Sequence, residues 1–237
     1  MTAQSTSQPS ATSRQRASLR VQAIASELEE DIAMGLLHPR ERLVEDALME
    51  RFDAKRHVVR SALTALESRG AVEKRAHVGA LVRSFTAQEV RDLYEVRELL
   101  EVACAKAIQM PVSSSRLAPI EEAMREHAAA VTRRDRRSAL RANLAFHERL
   151  FGLAPNRLLV DDLRRHALMA SPIRSLTVVN DNLLERARDE HEAMVEALRD
   201  GDTTQFMRLC ALHLEPSRDA YLSLLEPDAD VRKMPNG

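Results

Sequence analysis

The chain has 237 residues, 44% apolar and 30% charged, with a formal net charge of −1, no Trp and only six Gly. That length permits one large or two modest domains with a real core, and the shortage of aromatics and Gly beside abundant Ala, Leu, Glu and Arg predicts a mainly α fold. No apolar run approaches the ~20 residues needed to cross a bilayer, which excludes a helical membrane span.

Residues 1–18 read as a disordered leader, because Met1 to Ser13 is polar and Ser/Thr/Gln-rich, with almost nothing to bury. It lacks the apolar segment of a secretion signal, so a cytoplasmic protein is expected. Cys104 and Cys210 lie in Ala/Leu-rich helical contexts and read as buried apolar residues in a reducing compartment. From Leu19 to Met34 an amphipathic helix is predicted, with Val21, Ile24, Ala25, Leu28 and Ile32 on one side, ended by Gly35 and Pro39.

The next stretch organises the first domain. Leu43–Arg51 and Arg56–Arg69 read as two short helices joined by a tight turn, with Asp53 as a candidate cap of the second and Gly70 as its stop. Val59, Ala62, Leu63 and Leu66 form one apolar stripe, leaving Lys55, Arg56, His57 and Arg60 on the opposite face or the exposed first turn. An apolar back with a basic front, set at a turn to a preceding helix, is the geometry that enters a major groove. From Arg51 to Arg83 there are eight Lys/Arg against three Asp/Glu, a local surplus of five. Ala71–Arg75 and Ala80–Phe85 alternate as a hairpin turning near Val78-Gly79, a wing with Arg75 and His77 at its tip. The bland alternative is a small helical domain with a solvated basic face.

Thr86-Ala-Gln-Glu89 is a capping box that opens a long helix to about Ile108 and marks the boundary between a domain over 19–85 and one over 86–226. Five more helices are predicted at Ser115–Arg133, Arg136–Gly152, Asn156–Ser171, Asp181–Arg199 and Thr203–Leu225. Six helices should pack as an antiparallel bundle, with residues 227–237 a frayed tail. Residues 1–84 carry 13 basic against 11 acidic side chains and the remainder 22 against 25, so the bundle is not the nucleic-acid surface.

Three of the bundle's helices carry histidine beside apolar residues: His147 one turn after Asn143, His191 after Glu190, and His213. Three inward imidazoles could meet around a metal. Spacings of 44 and 22 residues match no compact ligand motif, and a hydrogen-bonded core histidine is the simpler reading of each. His38, His57, His127 and His166 fit surface or DNA-facing positions. Glu190 is the sole candidate base beside the cluster, and its position on the helix turns it about 100° from His191.

Two runs of residues resemble a known family. Leu43-x-Glu45-x-x-Leu48, Phe52-Asp-Ala-Lys55-Arg56-His-Val58-Val59-Arg60-Ser-Ala62-Leu63, Leu66-x-x-Arg69-Gly70 and Gly79-Ala80-x-Val82 are similar to the DNA-binding run of GntR-family transcription regulators. Arg97-x-x-Leu100-Glu101, Asn143-x-x-Phe146-His147, Asn156, Glu190-His191, Gly201-Asp202 and His213-Leu214 resemble the FCD effector domain of the FadR/VanR-like branch. The resemblance implies a winged helix-turn-helix followed by an all-helical effector domain. It implies a homodimer on a pseudo-palindromic double-stranded operator, commonly a repressor, with DNA contacts at Lys55, Arg56, His57, Arg60, Arg75, His77 and Gly79. Lys55 and Val58 stand where the family usually has Ser and Pro. The resemblance also implies a divalent metal at Asn143, His147, His191 and His213, with Asn143 where the family often has Asp. Three imidazoles suit Zn or Ni better than Fe or Mn. It further implies a small organic acid effector gripped by Arg97, for which Glu101, four residues on, is an equally ready ion-pair partner. Two alternatives come from other classes: a metal-dependent hydrolytic enzyme in the bundle, and an effector-independent nucleic-acid-binding protein.

Overall fold

A computed structural model describes residues 11–225; residues 1–10 of the expected leader and the whole of the expected tail, 227–237, lie outside it. The elements run α1 (Ala11–Ala33), β1 (Arg42–Leu43), α2 (Glu45–Phe52), α3 (Arg56–Ser68), β2 (Val72–Arg75), β3 (Gly79–Val82), α4 (Ala87–Ala107), α5 (Ser114–Thr132), α6 (Arg136–Phe151), α7 (Arg157–Met169), α8 (Ser171–Val178), α9 (Asp181–Asp200), α10 (Thr203–Leu212) and α11 (Glu215–Leu225).

The first core is that of a winged helix. Ile24, Leu28 and Ile32 of α1 pack with Leu48 and Phe52 of α2, the α3 stripe Val59, Ala62, Leu63 and Leu66, and Val72 and Val82 of the wing. The wing is a small antiparallel sheet in the order β1-β3-β2, with Arg42 opposite Leu81 and Val72 opposite Val82. β1 has only two residues, too short for alternation to announce it. Two expectations need correction here. Residues 11–18 belong to α1 rather than to an unstructured leader. Asp53 does not cap α3: it sits at the end of α2 in the left-handed region, φ 43°, and Lys55 occupies the N-cap of α3 without a side-chain hydrogen bond.

α4 begins at the capping box as expected. The Thr86 side chain accepts from the Glu89 backbone N–H, while the Glu89 carboxylate accepts from the Thr86 N–H at 2.8 Å. Beyond it the described residues form eight helices rather than six. The expected Asn156–Ser171 helix ends at Met169, and α8 follows at once with Pro172 in its first turn, where a missing N–H costs nothing. The expected Thr203–Leu225 helix breaks at His213-Leu214 ahead of Pro216, whose ring cannot sit against the preceding turn of a continuous helix. The bundle core gathers Cys104, Ile120, Phe146, Leu150, Met194, Leu198, Phe206 and Cys210.

The end of α1 is keyed into that bundle. Ala33 packs with Leu140 and Val178. Asp31, 3% exposed, holds Arg51 of α2 at 2.6 Å and Arg137 of α6 at 3.2 Å. Glu30 binds Arg137 and Arg141 on the same helix at 3.1 and 3.0 Å. Helix α6, which carries Asn143 and His147, is thus tied to the winged helix by side-chain carboxylates.

Candidate metal centre and nucleic-acid interface

His147 from α6, His191 from α9 and His213 from the α10–α11 break meet in the bundle, their nitrogens within 4.8 Å of one another. The break is what brings His213 in, because it ends α10 at that residue. Nε2 of His147 and Nε2 of His213 are 3.1 Å apart. Two imidazole nitrogens sharing a tetrahedral ion at ~2.0–2.1 Å each would stand about 3.3 Å apart. Asn143, one turn before His147, lines the same cavity.

His191 is fully buried, stacked on Phe146 with ring centroids 4.0 Å apart. Neither of its ring nitrogens has a hydrogen-bond partner. Buried polar atoms are seldom left so, since each orphan costs roughly 1–3 kcal/mol. The donor set of imidazole nitrogens, those of His191 orphaned, fits a borderline-soft divalent ion.

Glu190 does reach the cluster, through another helix's histidine. Its Oε2 accepts from His213 Nδ1 at 2.6 Å, while Oε1 accepts from Arg186 Nε at 2.6 Å. That bond engages Nδ1 of His213 and turns its Nε2 toward His147. Burial alone would raise the Glu190 pKa, but His213 and Arg186 outweigh it and hold the carboxyl below its usual value. Burial, reinforced by His213, holds His147 and His191 well below the ordinary imidazole range, so both stay neutral and ready as ligands.

His127 was expected at the surface and is instead 1% exposed. It lines the cavity, its ring centroid 4.8 Å from that of His191, and burial brings its pKa down to about 4. The spacing Ile120, Ala123, His127, Ala130 on α5 is an apolar stripe with His127 inside it, a signal present in the chain.

The cavity beside the cluster measures about 340 Å³. Arg97 lines it and also pairs with Glu101 (Nη2 to Oε1, 2.9 Å), so the two roles coexist; its Nε is buried without a partner. Arg174 of α8 lines it too. Sequence reasoning missed this residue together with its helix.

The DNA-facing candidates lie at the other end. Lys55, Arg56, His57 and Arg60 are exposed on α3 and its N-cap, opposite the buried stripe. Arg56 Nη2 is 2.5 Å from Asp46 Oδ1, and Arg60 Nε is 3.6 Å from Glu45 Oε1, so acids of α2 hold both arginines from the side. Arg75 faces Gly79 across the wing turn, where His77 (φ 63°) and Gly79 (φ 98°) take the left-handed conformation that the reversal requires. All three are exposed.

Comparison with known proteins accounts for both ends. The bacterial regulatory proteins of the gntR family match residues 20–82 and the FCD domain matches residues 92–216. The chain is 27% identical to the HTH-type transcriptional regulator LutR of Bacillus subtilis over 217 residues, covering 82% of this chain and 98% of LutR. It is 23% identical to the HTH-type transcriptional repressor RspR of Escherichia coli, covering 86% and 89% of the two chains. In fold it is similar to Escherichia coli McbR/YncC, with a TM-score of 0.76 at 16% identity over 86% of this chain and 98% of that one. A candidate GntR regulator from Rhodococcus sp. RHA1 gives 0.69 at 24% identity, with the same coverage. Two matches in this order, over a winged helix joined to a helical bundle, make the chain a GntR-family transcription regulator of the FCD branch.

Proposed function

We propose that this transcription regulator is a homodimeric repressor whose hold on a pseudo-palindromic operator is set by a small carboxylate effector at a metal centre in the FCD domain. The observation that carries the reading is the meeting of His147, His191 and His213 from three separate segments, with the nitrogens of His191 unpartnered. Asn143, His147, His191 and His213 would hold the ion, Zn or Ni ahead of Fe or Mn because the nitrogens are imidazole. The bound ion supplies a Lewis-acidic seat for one carboxylate oxygen. Arg97, half engaged by Glu101, offers the rest of its fork to the same ligand. Arg56 and Arg60 would reach base edges or phosphates and Lys55 a phosphate, with Arg75, His77 and Gly79 of the wing alongside. Two-fold symmetry would place one α3 in each half-site. The repressor sign follows the name of the relative RspR.

Among the described residues no helix is long and apolar enough to cross a membrane, in keeping with a cytoplasmic regulator. A hydrolase at the same centre is disfavoured, because both oxygens of Glu190 are engaged by His213 and Arg186. The test is metal analysis with operator titration. His147→Ala and His191→Ala should lose the ion and the effector response but keep ion-free DNA binding. Equal metal content in variant and parent would remove the centre.

A further inference from the structure

Among the described residues, the arginines and carboxylates that line the cavity stand in ion pairs within 4 Å, with one exception. Glu101 is matched by Arg97 at 2.9 Å, Glu148 by Arg164 at 3.1 Å, and Glu190 by His213 and Arg186 at 2.6 Å each. Arg174 stands on the same wall without a carboxylate within 4 Å among the described residues. Its one hydrogen bond runs from Nη2 to the carbonyl of Ala167 at 3.1 Å. Burial, and then the like charge of Arg97, bring its pKa down to about 10 against the more distant carboxylates of Glu101 and Glu29, so it remains cationic at neutral pH. A cation in a pocket walled by Leu140, Leu163, Val160 and Leu184 is costly unless an anion joins it. Arg174 lines the same cavity as His147 and His213.

The second pole is that cluster. Its donors are three imidazoles and the Asn143 carboxamide, none of them a carboxylate, so an ion held there would keep nearly its full double charge on the cavity side. Glu190, the carboxylate of the cluster, is spent on the far nitrogen of His213. One carboxylate can neutralise one pole only. We infer that the cavity is built for an acid with two anionic groups, such as a dicarboxylate, one seated at the imidazole cluster and the other on Arg174, its carbon chain against the apolar wall.

This inference rests on the proposed metal centre and narrows its ligand class. Arg174 is then the residue that separates dicarboxylates from monocarboxylates, while Arg97 serves either.

The test is calorimetric titration of the zinc-loaded full-length protein with malonate, succinate, glutarate and adipate, each against the monocarboxylate of equal carbon number. At least one dicarboxylate is expected to bind tenfold or more tightly than its partner, on the order of a charge-assisted contact. Arg174→Gln should bring the two within about threefold, mainly by weakening the dicarboxylate. Monocarboxylates binding as well as dicarboxylates to the parent would overturn the inference and leave the metal centre standing. So would a preference that survives in Arg174→Gln. Failure of every acid to bind the zinc-loaded parent would overturn the inference and the carboxylate reading together. The parent's own ratio is decisive even if the variant does not fold.

Discussion

Glu190 Oε2 sits 2.6 Å from His213 Nδ1, fixing which nitrogen of that imidazole turns toward His147 and His191. Carboxylates behind ligating histidines set both ring orientation and basicity. Glu190→Ala should therefore weaken zinc binding by roughly tenfold to a hundredfold with the three imidazoles intact. Competition against a chromophoric chelator measures this, and parental affinity in the variant would remove the role.

Arg56 is poised on Asp46 rather than free in solvent. Arg56→Ala should cost on the order of 1–3 kcal/mol against an operator obtained by in vitro selection. Asp46→Asn releases the arginine and removes a negative charge near the phosphates, so it should tighten binding. Gel-shift titration of both variants on one DNA checks the pair; two losses of similar size would mean that the ion pair itself shapes the interface.

The ion-free protein should lose stability in mild acid. His127, His147 and His191 are neutral in the fold because burial depresses their pKa values. Such groups contribute stability that is complete above the unfolded imidazole value near ~6.5 and is lost as pH falls below it. For His127, depressed to about 4, the loss at pH 5 is about 2 kcal/mol. Urea unfolding in chelator at pH 7.5 and pH 5 should show at least this drop, and His127→Gln should reduce it by about 2 kcal/mol.

Cys104 and Cys210 are free thiols with no exposure, pushed above their ordinary pKa by burial, Cys104 to about 11. Neither should react with a disulfide reagent in the native protein at pH 8, where the thiolate is scarce and inaccessible. Both should react once urea unfolds the chain. A fast native-state thiol signal would contradict the packing of α4 against α10.

What the chain announced beforehand was local. The α3 stripe, the Thr86 capping box and the Gly-containing wing turn are each written within a few residues, and the structure carries them. What escaped was relational or short. β1 becomes a strand only because β3 lies beside it, and α8 is a brief helix directly behind α7. Glu190 turns away from His191 on its own helix yet meets His213 from another, a pairing that no periodicity within α9 contains. His127 is a different case, since its stripe on α5 was readable and its polarity made it look exposed.

The carboxylate of Asp31, shared by Arg51 and Arg137, bears on how such regulators could be recombined. A graft joined at Thr86 would import an operator-reading unit whose first helix must find arginines at matching places on a foreign α6. Without them Asp31 would keep Arg51 alone and Glu30 would lose both its arginines at the seam, so the two halves of this chain are not freely interchangeable parts.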